Sequence, residues 1–245
     1  SFPFMNELSI IVPCVSTIEP LPKFIDEVAR YLMANPSDAD LLVIANPSAQ
    51  TPERVVEYSR KKYPWLKITM LQRKGKNVQF GALTRFGVAH SASRYAVIVS
   101  PYGEDDLSII PAMLHRIRQG AQVVQATRYT KPEDAHSVPF RFRSYQGIYR
   151  TLTRVLLGHD VTDSTYGFKM FDRAFVQALG LTQNGYSICP EITLKSLLAG
   201  GRVEYVSSVM KPSLMNKDFK LAREGLGYFW LLLRGAGHRA GILWF

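Results

Sequence analysis

Five short apolar runs, separated by stretches with helical spacing, constrain this chain more than any other feature it has. Leu8-Ser9-Ile10-Ile11-Val12-Pro13 is rich in β-branched residues and closed by proline, which reads as a buried strand ending in a turn. Leu21, Phe24, Ile25, Val28, Leu32 and Met33 follow at the spacing of one helix face. Asp40 to Ile44 repeats the strand signal and stops at the turn cluster Asn46-Pro47-Ser48. Thr51-Pro52-Glu53 opens a second helix with a cap, a proline in the first turn and an early acid. Leu66 to Leu71 reads as a third strand, Arg94 to Ser100 as a fourth after a helix near Phe80 to Ala92, and Gln122 to Ala126 as a fifth after a helix starting near Leu107.

Strands alternating with helices in this way predict an α/β sandwich around a mainly parallel sheet. Such sheets bind ligands at the carboxyl ends of their strands. Chemistry is therefore expected at Pro13 to Glu19, Ala45 to Ala49, Ser100 to Asp106 and Thr127 to Lys131. Neither G-x-G-x-x-G nor G-x-x-x-x-G-K-[ST] occurs, so dinucleotide and P-loop readings lose their main support. With 245 residues, 47% of them hydrophobic, the chain can bury an ordinary core, and disorder is excluded. Cys14 and Cys189 stand in no C-x-x-C and beside no histidine at metal-ligand spacing. A disulfide framework or zinc module is not expected, and a reducing compartment is. No run reaches the roughly 20 apolar residues of a spanning helix, and Ser1 to Met5 lacks the pattern of a secretory signal. His90, His115, His136, His159 and His238 form no constellation with Ser or Asp at hydrolase spacing.

The net charge of +10 implies an anionic partner, and its distribution narrows the choice. From Val138 to Gly158 the chain carries four arginines, Arg141, Arg143, Arg150 and Arg154, and no acid. From Lys211 to Phe245 six basic residues face two acids, with Tyr228, Phe229, Trp230, Leu231, Leu232, Leu233 and Trp244 interleaved. A basic, aromatic-rich tail of this kind suits an anionic membrane surface; the alternative is a helix packed on the domain. No helix-turn-helix or aromatic-basic reading motif accompanies the charge, so nucleic acid is not an expected partner.

In order and spacing, the first strand, the strand ending at Ile44, Tyr95 to Ser100, Ala126-Thr127-Arg128-Tyr129, Asp163-Ser164-Thr165-Tyr166-Gly167-Phe168-Lys169 and Tyr186-Ser187-Ile188-Cys189-Pro190-Glu191-Ile192 resemble family 2 glycosyltransferases. The likeness is to the branch of dolichol-phosphate mannose synthase and bacterial polyprenyl-phosphate glycosyltransferases. It covers about residues 7 to 213. The most specific part is Asp-x-Thr-x-Gly-Phe-Lys after an arginine-bearing helix that ends in Leu-Leu-Gly. The resemblance implies a GT-A-type, Rossmann-like domain over residues 1–213, followed by a basic amphipathic juxtamembrane segment over 214–245 with C-terminal amphipathic helices. It implies a UDP- or GDP-linked sugar donor, Mg²⁺ or Mn²⁺ held by an Asp-x-Asp motif against the diphosphate, and a polyprenyl phosphate acceptor. The expected place is the cytoplasmic face of a membrane, peripheral or anchored by segments beyond Phe245, with a membrane-protein partner as a further expectation.

Three donor-side motifs depart from the family. The first strand should lead into Pro-x-Tyr-Asn-Glu, and here Pro13 is followed by Val15, Ser16 and Thr17. The second should end in Asp-Asp-Gly-Ser, and here it reads Ala45-Asn46-Pro47-Ser48. Ser100-Pro101-Tyr102 replaces the Asp-x-Asp, and its side chains are poor ligands for a hard cation. By position, Pro13, Asn46, Ser48, Lys76, Ser100 and Tyr102 are the donor-binding candidates, and Glu104 is the candidate metal ligand. Asp105 or Asp106 is otherwise a cap for the helix near Leu107. A metal-independent site in which Lys76 and Arg128 meet the diphosphate charge is the alternative.

The acceptor half matches better. Arg128, Arg141, Arg143, Asp163 and Thr165 fall where the family binds the lipid phosphate, and Arg128, Arg141, Arg143 and Lys169 are the candidate catalytic residues. Tyr166 stands where relatives carry Ser, and Gly167 is expected to allow close backbone approach or a positive φ. Glu191 either orients an acceptor-side arginine or satisfies a buried base. Two functions stay open: transfer of a sugar to a polyprenyl phosphate through an atypical donor site, and an inactive homologue that binds lipid phosphate or regulates a partner at the membrane.

Overall fold

A computed structural model describes residues 6–15, 19–46, 52–75, 78–129, 140–209 and 221–245. Its centre is a seven-stranded sheet built from β1 (Leu8–Cys14), β2 (Ala39–Ala45), β3 (Ile68–Gln72), β4 (Tyr95–Ile98), β5 (Val123–Thr127), β6 (Lys169–Asp172) and β7 (Val203–Ser207). The strand order is β3-β2-β1-β4-β6-β5-β7. All neighbouring pairs are parallel except those of β6, which runs antiparallel to both β4 and β5.

The five expected strands form with ends shifted by one to two residues. β1 does not stop at Pro13: it continues to Cys14, and Pro13 is buried and paired in register with Ile44. Every β1 residue is buried because helices cover both faces of the sheet, which is why its sequence is an apolar run and not an alternation. Ile10 and Val12 face one core with Leu21, Phe24, Ile25 and Val28 of α1 (Leu21–Ala34) and Met113 and Ile117 of α4 (Ile110–Arg118). Ile11, one residue out of phase, faces the other with Leu83 of α3 (Phe80–His90) and Ile188 and Ile192 of α7 (Ile188–Leu198). Met33 departs from the expected helix face: it is 66% exposed, since it lies about 100° around α1 from buried Leu32.

Two further helices, α2 (Pro52–Lys62) and α6 (Arg173–Ala178), flank the sheet. α5 (Phe140–Leu157) and α8 (Leu221–Arg239) form a separate packing unit with α7. Tyr149 and Leu157 of α5, Leu194 of α7, and Tyr228, Leu231 and Leu232 of α8 make a third apolar cluster. The C-terminal segment is thus seated on the α/β body by one face of α8. Its other face leaves Leu226, Phe229, Trp230 and Leu233 exposed, and Trp244 beyond it is 88% exposed. Among the described residues no helix is long and apolar enough to cross a membrane. Cys14 and Cys189 are both free and buried, and burial pushes each thiol up to about 12.

Candidate functional site

The antiparallel direction of β6 fixes where the site lies. The loop 163–168 enters β6 at the same sheet edge at which the parallel strands β1, β2, β4 and β5 end, so it meets the turns that follow those strands. Arg128, the first residue after β5, reaches across to this loop. Its Nε donates to Asp163 Oδ2 at 2.8 Å and its Nη2 to Asp163 Oδ1 at 3.0 Å, a bidentate pair, with Thr165 Oγ1 at 3.4 Å. Both partners are almost wholly buried. Burial works against the Arg128 charge, but the Asp163 carboxylate outweighs it and holds the guanidinium above its ordinary value. The guanidinium is also stacked between two rings, with Cζ 4.6 Å from the Tyr166 centroid and 5.6 Å from that of Tyr129.

α5 supplies the second wall. Gln146 is hydrogen-bonded to Thr165, and Arg150 Nε donates to the Val161 carbonyl at 3.1 Å. Arg128, Arg150 and Arg143 all act on the Tyr129 phenol, against the single carboxylate of Asp163. Burial raises the Tyr129 pKa in spite of those three cations, so the phenol stays protonated as a donor. Tyr129 Oη and Arg143 Nε are buried and have no hydrogen-bond partner among the described residues. Arg141 stands exposed on the first turn of α5. Tyr129, Gln146 and Arg150 complete a corner that the arginine count alone did not single out. Arg143, Gln146 and Arg150 recur at i, i+3 and i+7, a helix-face signal present in the sequence.

Lys169 has a different role from the one expected. It is 0% exposed, with Nζ donating to Gln125 Oε1 at 2.5 Å, the Ser164 carbonyl at 2.9 Å and Thr193 Oγ1 at 3.0 Å. A side chain sealed between β5, β6 and α7 cannot touch a substrate, so Lys169 ties these elements together. Burial lowers its pKa to about 7. Gly167 is likewise ordinary: its φ is not positive, and an added Cβ would lie 3.6 Å from Phe80, a normal contact.

On the donor side, Ser48 and Lys76 lie outside the described residues. Asn46 is half-buried after β2, its backbone N–H donating to the Cys14 carbonyl at 3.2 Å. Pro13 and Tyr102 are buried, which removes them from the crevice surface, while Ser100 is half-buried. The backbone N–H of Ser100 donates to Asp105 Oδ2 at 2.7 Å, and Tyr166 Oη donates to Asp105 Oδ1 at 2.7 Å. Burial, with the nearby Glu104 charge, raises the Asp105 pKa to about 7, and burial also raises Glu104. Among the described residues no three His, Cys, Asp or Glu side chains converge as a metal ion would need. The residues described after β4 do not fit the cation that the fold implies.

Glu191 resolves toward a buried base and a loop anchor. It accepts from the backbone N–H of Thr182 and Gln183 at 2.9 Å each and from the Thr182 hydroxyl, and pairs with Lys195 at 3.2 Å. The segment it pins also presses on α3, where a Cβ on Gly81 would lie 2.6 Å from the Gln183 and Gly185 carbonyls.

No protein-family model matches the sequence. Among solved structures, the chain is similar to glucosyl-3-phosphoglycerate synthase from Mycobacterium tuberculosis in complex with UDP, with a TM-score of 0.67 and 14% identity, covering 97% of this chain and 81% of that one. The same synthase with Mn²⁺ and UDP-glucose gives 0.67 and 15%, over 97% and 80%. With Mn²⁺, UDP and phosphoglyceric acid it gives 0.64 and 15%, over 97% and 80%. Identities this low speak to the fold. The chain has the GT-A-type, Rossmann-like fold of nucleotide-sugar-dependent glycosyltransferases.

Proposed function

We propose that this chain transfers a glycosyl group from a nucleotide sugar to a polyprenyl phosphate at a membrane surface. The observation that carries this reading is the corner around Tyr129. The charges of Arg128, Arg143 and Arg150 reach it against the one carboxylate of Asp163, Arg128 Cζ lies 5.6 Å from its ring, and both Tyr129 Oη and Arg143 Nε are free to donate among the described residues. An arginine fork and a phenol suit a phosphate monoester. A phosphate oxygen already carries charge, so it can attack the anomeric carbon without a general base; the bond from sugar to nucleoside diphosphate breaks and the diphosphate leaves. The basic corner holds the nucleophile in line.

The wall that carries Arg143 supports the lipid part of the reading. Ile148 and Val155 on α5 and Leu226, Trp230 and Leu233 on α8 are exposed, with Arg154, Arg234 and Arg239 in the same two helices. Exposed Trp and Leu flanked by arginine fit the headgroup zone of an anionic bilayer. The bound UDP-glucose and phosphoglyceric acid of the neighbours make UDP-glucose the first donor to try and phosphoglyceric acid the soluble control acceptor.

A second reading, a homologue that holds the lipid phosphate without transferring sugar, is favoured by the donor side, where Asp105 is turned inward and the family's acids are missing. Sugar transfer to polyprenyl phosphate in vesicles, measured over a panel of UDP and GDP sugars, separates the two. Arg143→Ala should cut retention of the chain on polyprenyl-phosphate vesicles under either reading, and unchanged retention would sink both.

A further inference from the structure

The resemblance puts the divalent cation of this fold at an Asp-x-Asp directly after β4, and the solved neighbours include Mn²⁺ and Mg²⁺ complexes with UDP. Here the position reads Ser100-Pro101-Tyr102, and the acids able to stand in, Glu104, Asp105 and Asp106, follow within the same turn. A hard divalent cation needs several oxygens converging on one point with lone pairs to spare. Among the described residues no three such side chains gather at one point. Asp106 Oδ1 accepts from the Ser108 backbone N–H at 3.1 Å and caps the short 3₁₀ turn Leu107–Ile109. Asp105, 4% exposed, accepts from the Ser100 N–H with one oxygen and from the Tyr166 hydroxyl with the other.

Tyr166 links this turn to the acceptor side. It occupies the position where relatives carry Ser, and its hydroxyl reaches from the loop before β6 to Asp105 Oδ1 at 2.7 Å. Its ring lies against the Arg128 guanidinium at 4.6 Å. The phenol thus supplies one of the two donors that hold Asp105 inside.

We propose that the turn after β4 holds no divalent cation in this chain, because Ser100 and Tyr166 engage both oxygens of its buried acid Asp105 in an internal clasp. The inference concerns the turn after β4 and holds whether or not sugar is transferred.

Titration of Mn²⁺ into the full chain, followed by electron paramagnetic resonance of the free ion, tests it without nucleotide or activity. The free-ion signal should match that of buffer at every concentration. Loss of signal at one equivalent, abolished by Asp105→Asn or Glu104→Gln, would overturn the proposal. Calorimetry with UDP in chelator and in Mn²⁺ should give affinities that agree within about a factor of two, and a gain of about tenfold or more with Mn²⁺ overturns the proposal. Absence of UDP and GDP binding in both buffers counts against the proposed transfer alone, and the Mn²⁺ titration still decides the present point. Tyr166→Phe should speed hydrogen exchange at the Ser100 amide, whose acceptor it loosens; unchanged exchange would show that the hydroxyl holds nothing.

Discussion

Replacing Lys169 by methionine should change how stability responds to pH, by an amount that the burial of the lysine fixes. The ammonium has no carboxylate among its hydrogen-bond partners, only Gln125 Oε1, the Ser164 carbonyl and Thr193 Oγ1, and burial lowers its pKa from 10.5 to about 7. Below pH 7 both folded and unfolded chains hold the proton, and the folded state bears the whole cost of a buried charge. Between pH 7 and 10.5 the unfolded chain keeps the proton and the folded chain does not, so the unfolded state binds more protons and stability rises with pH. The slope is about 1.4 kcal/mol per pH unit, or about 5 kcal/mol over a window of roughly 3.5 units. Methionine keeps the aliphatic stem and cannot titrate, so the difference between wild type and Lys169→Met cancels every other group. Urea unfolding at pH 6, 7, 8 and 9 should show that difference nearly flat from 6 to 7, then moving in favour of wild type by about 2 to 3 kcal/mol between 7 and 9. A difference that stays constant across the series would mean that Lys169 keeps its proton throughout, and the desolvation reasoning would be refuted.

Asp163→Asn leaves the Arg128 charge buried without its partner and should cost about 3 to 5 kcal/mol in thermal or chemical unfolding. Glu191→Gln removes the charged acceptor of two backbone N–H groups, so hydrogen exchange at Thr182 and Gln183 should accelerate while the amides of β1 keep their protection. Gly81→Ala drives a methyl group against two carbonyl oxygens and should lower stability by about 1 to 3 kcal/mol. Trp230→Ala combined with Trp244→Ala should weaken flotation with anionic liposomes with little change in melting temperature, because both side chains are largely exposed.

Four of the strands legible in the sequence, β1, β2, β4 and β5, are buried along nearly their whole length, and burial on both faces writes an unbroken apolar run such as Ile10-Ile11-Val12; β3, at the sheet edge, is legible although it is mostly half-buried. β6 was not legible: it has four residues, begins with a lysine and ends with an aspartate that caps α6. Edge strand β7, Val203–Ser207, is largely half-buried and carries Glu204, so its pattern is weak as well. Within the site, Arg128 and Asp163 are named by the resemblance as phosphate-binding candidates, whereas their bidentate pairing with each other is legible only in the fold. The burial of Lys169 could not be read, since it depends on Gln125 and Thr193, 44 and 24 residues away along the chain. The Asp105–Tyr166 bond spans 61 residues and joins a departure in one motif to a departure in another. Local patterns report which face of an element is covered; they carry no record of which distant polar group a buried acid has found.

The antiparallel strand β6 also divides the molecule into parts that can change at different rates. Arg128, Arg143, Gln146, Arg150, Asp163 and Thr165 all fall in one continuous stretch between the end of β5 and the start of β6. The opposite half of the crevice is assembled from the ends of separate strands, β1, β2 and β4, far apart along the chain. Under the proposed transfer, a change of acceptor would be confined to a single stretch of some forty residues between two fixed points of the sheet, whereas a change of donor would be spread over several places.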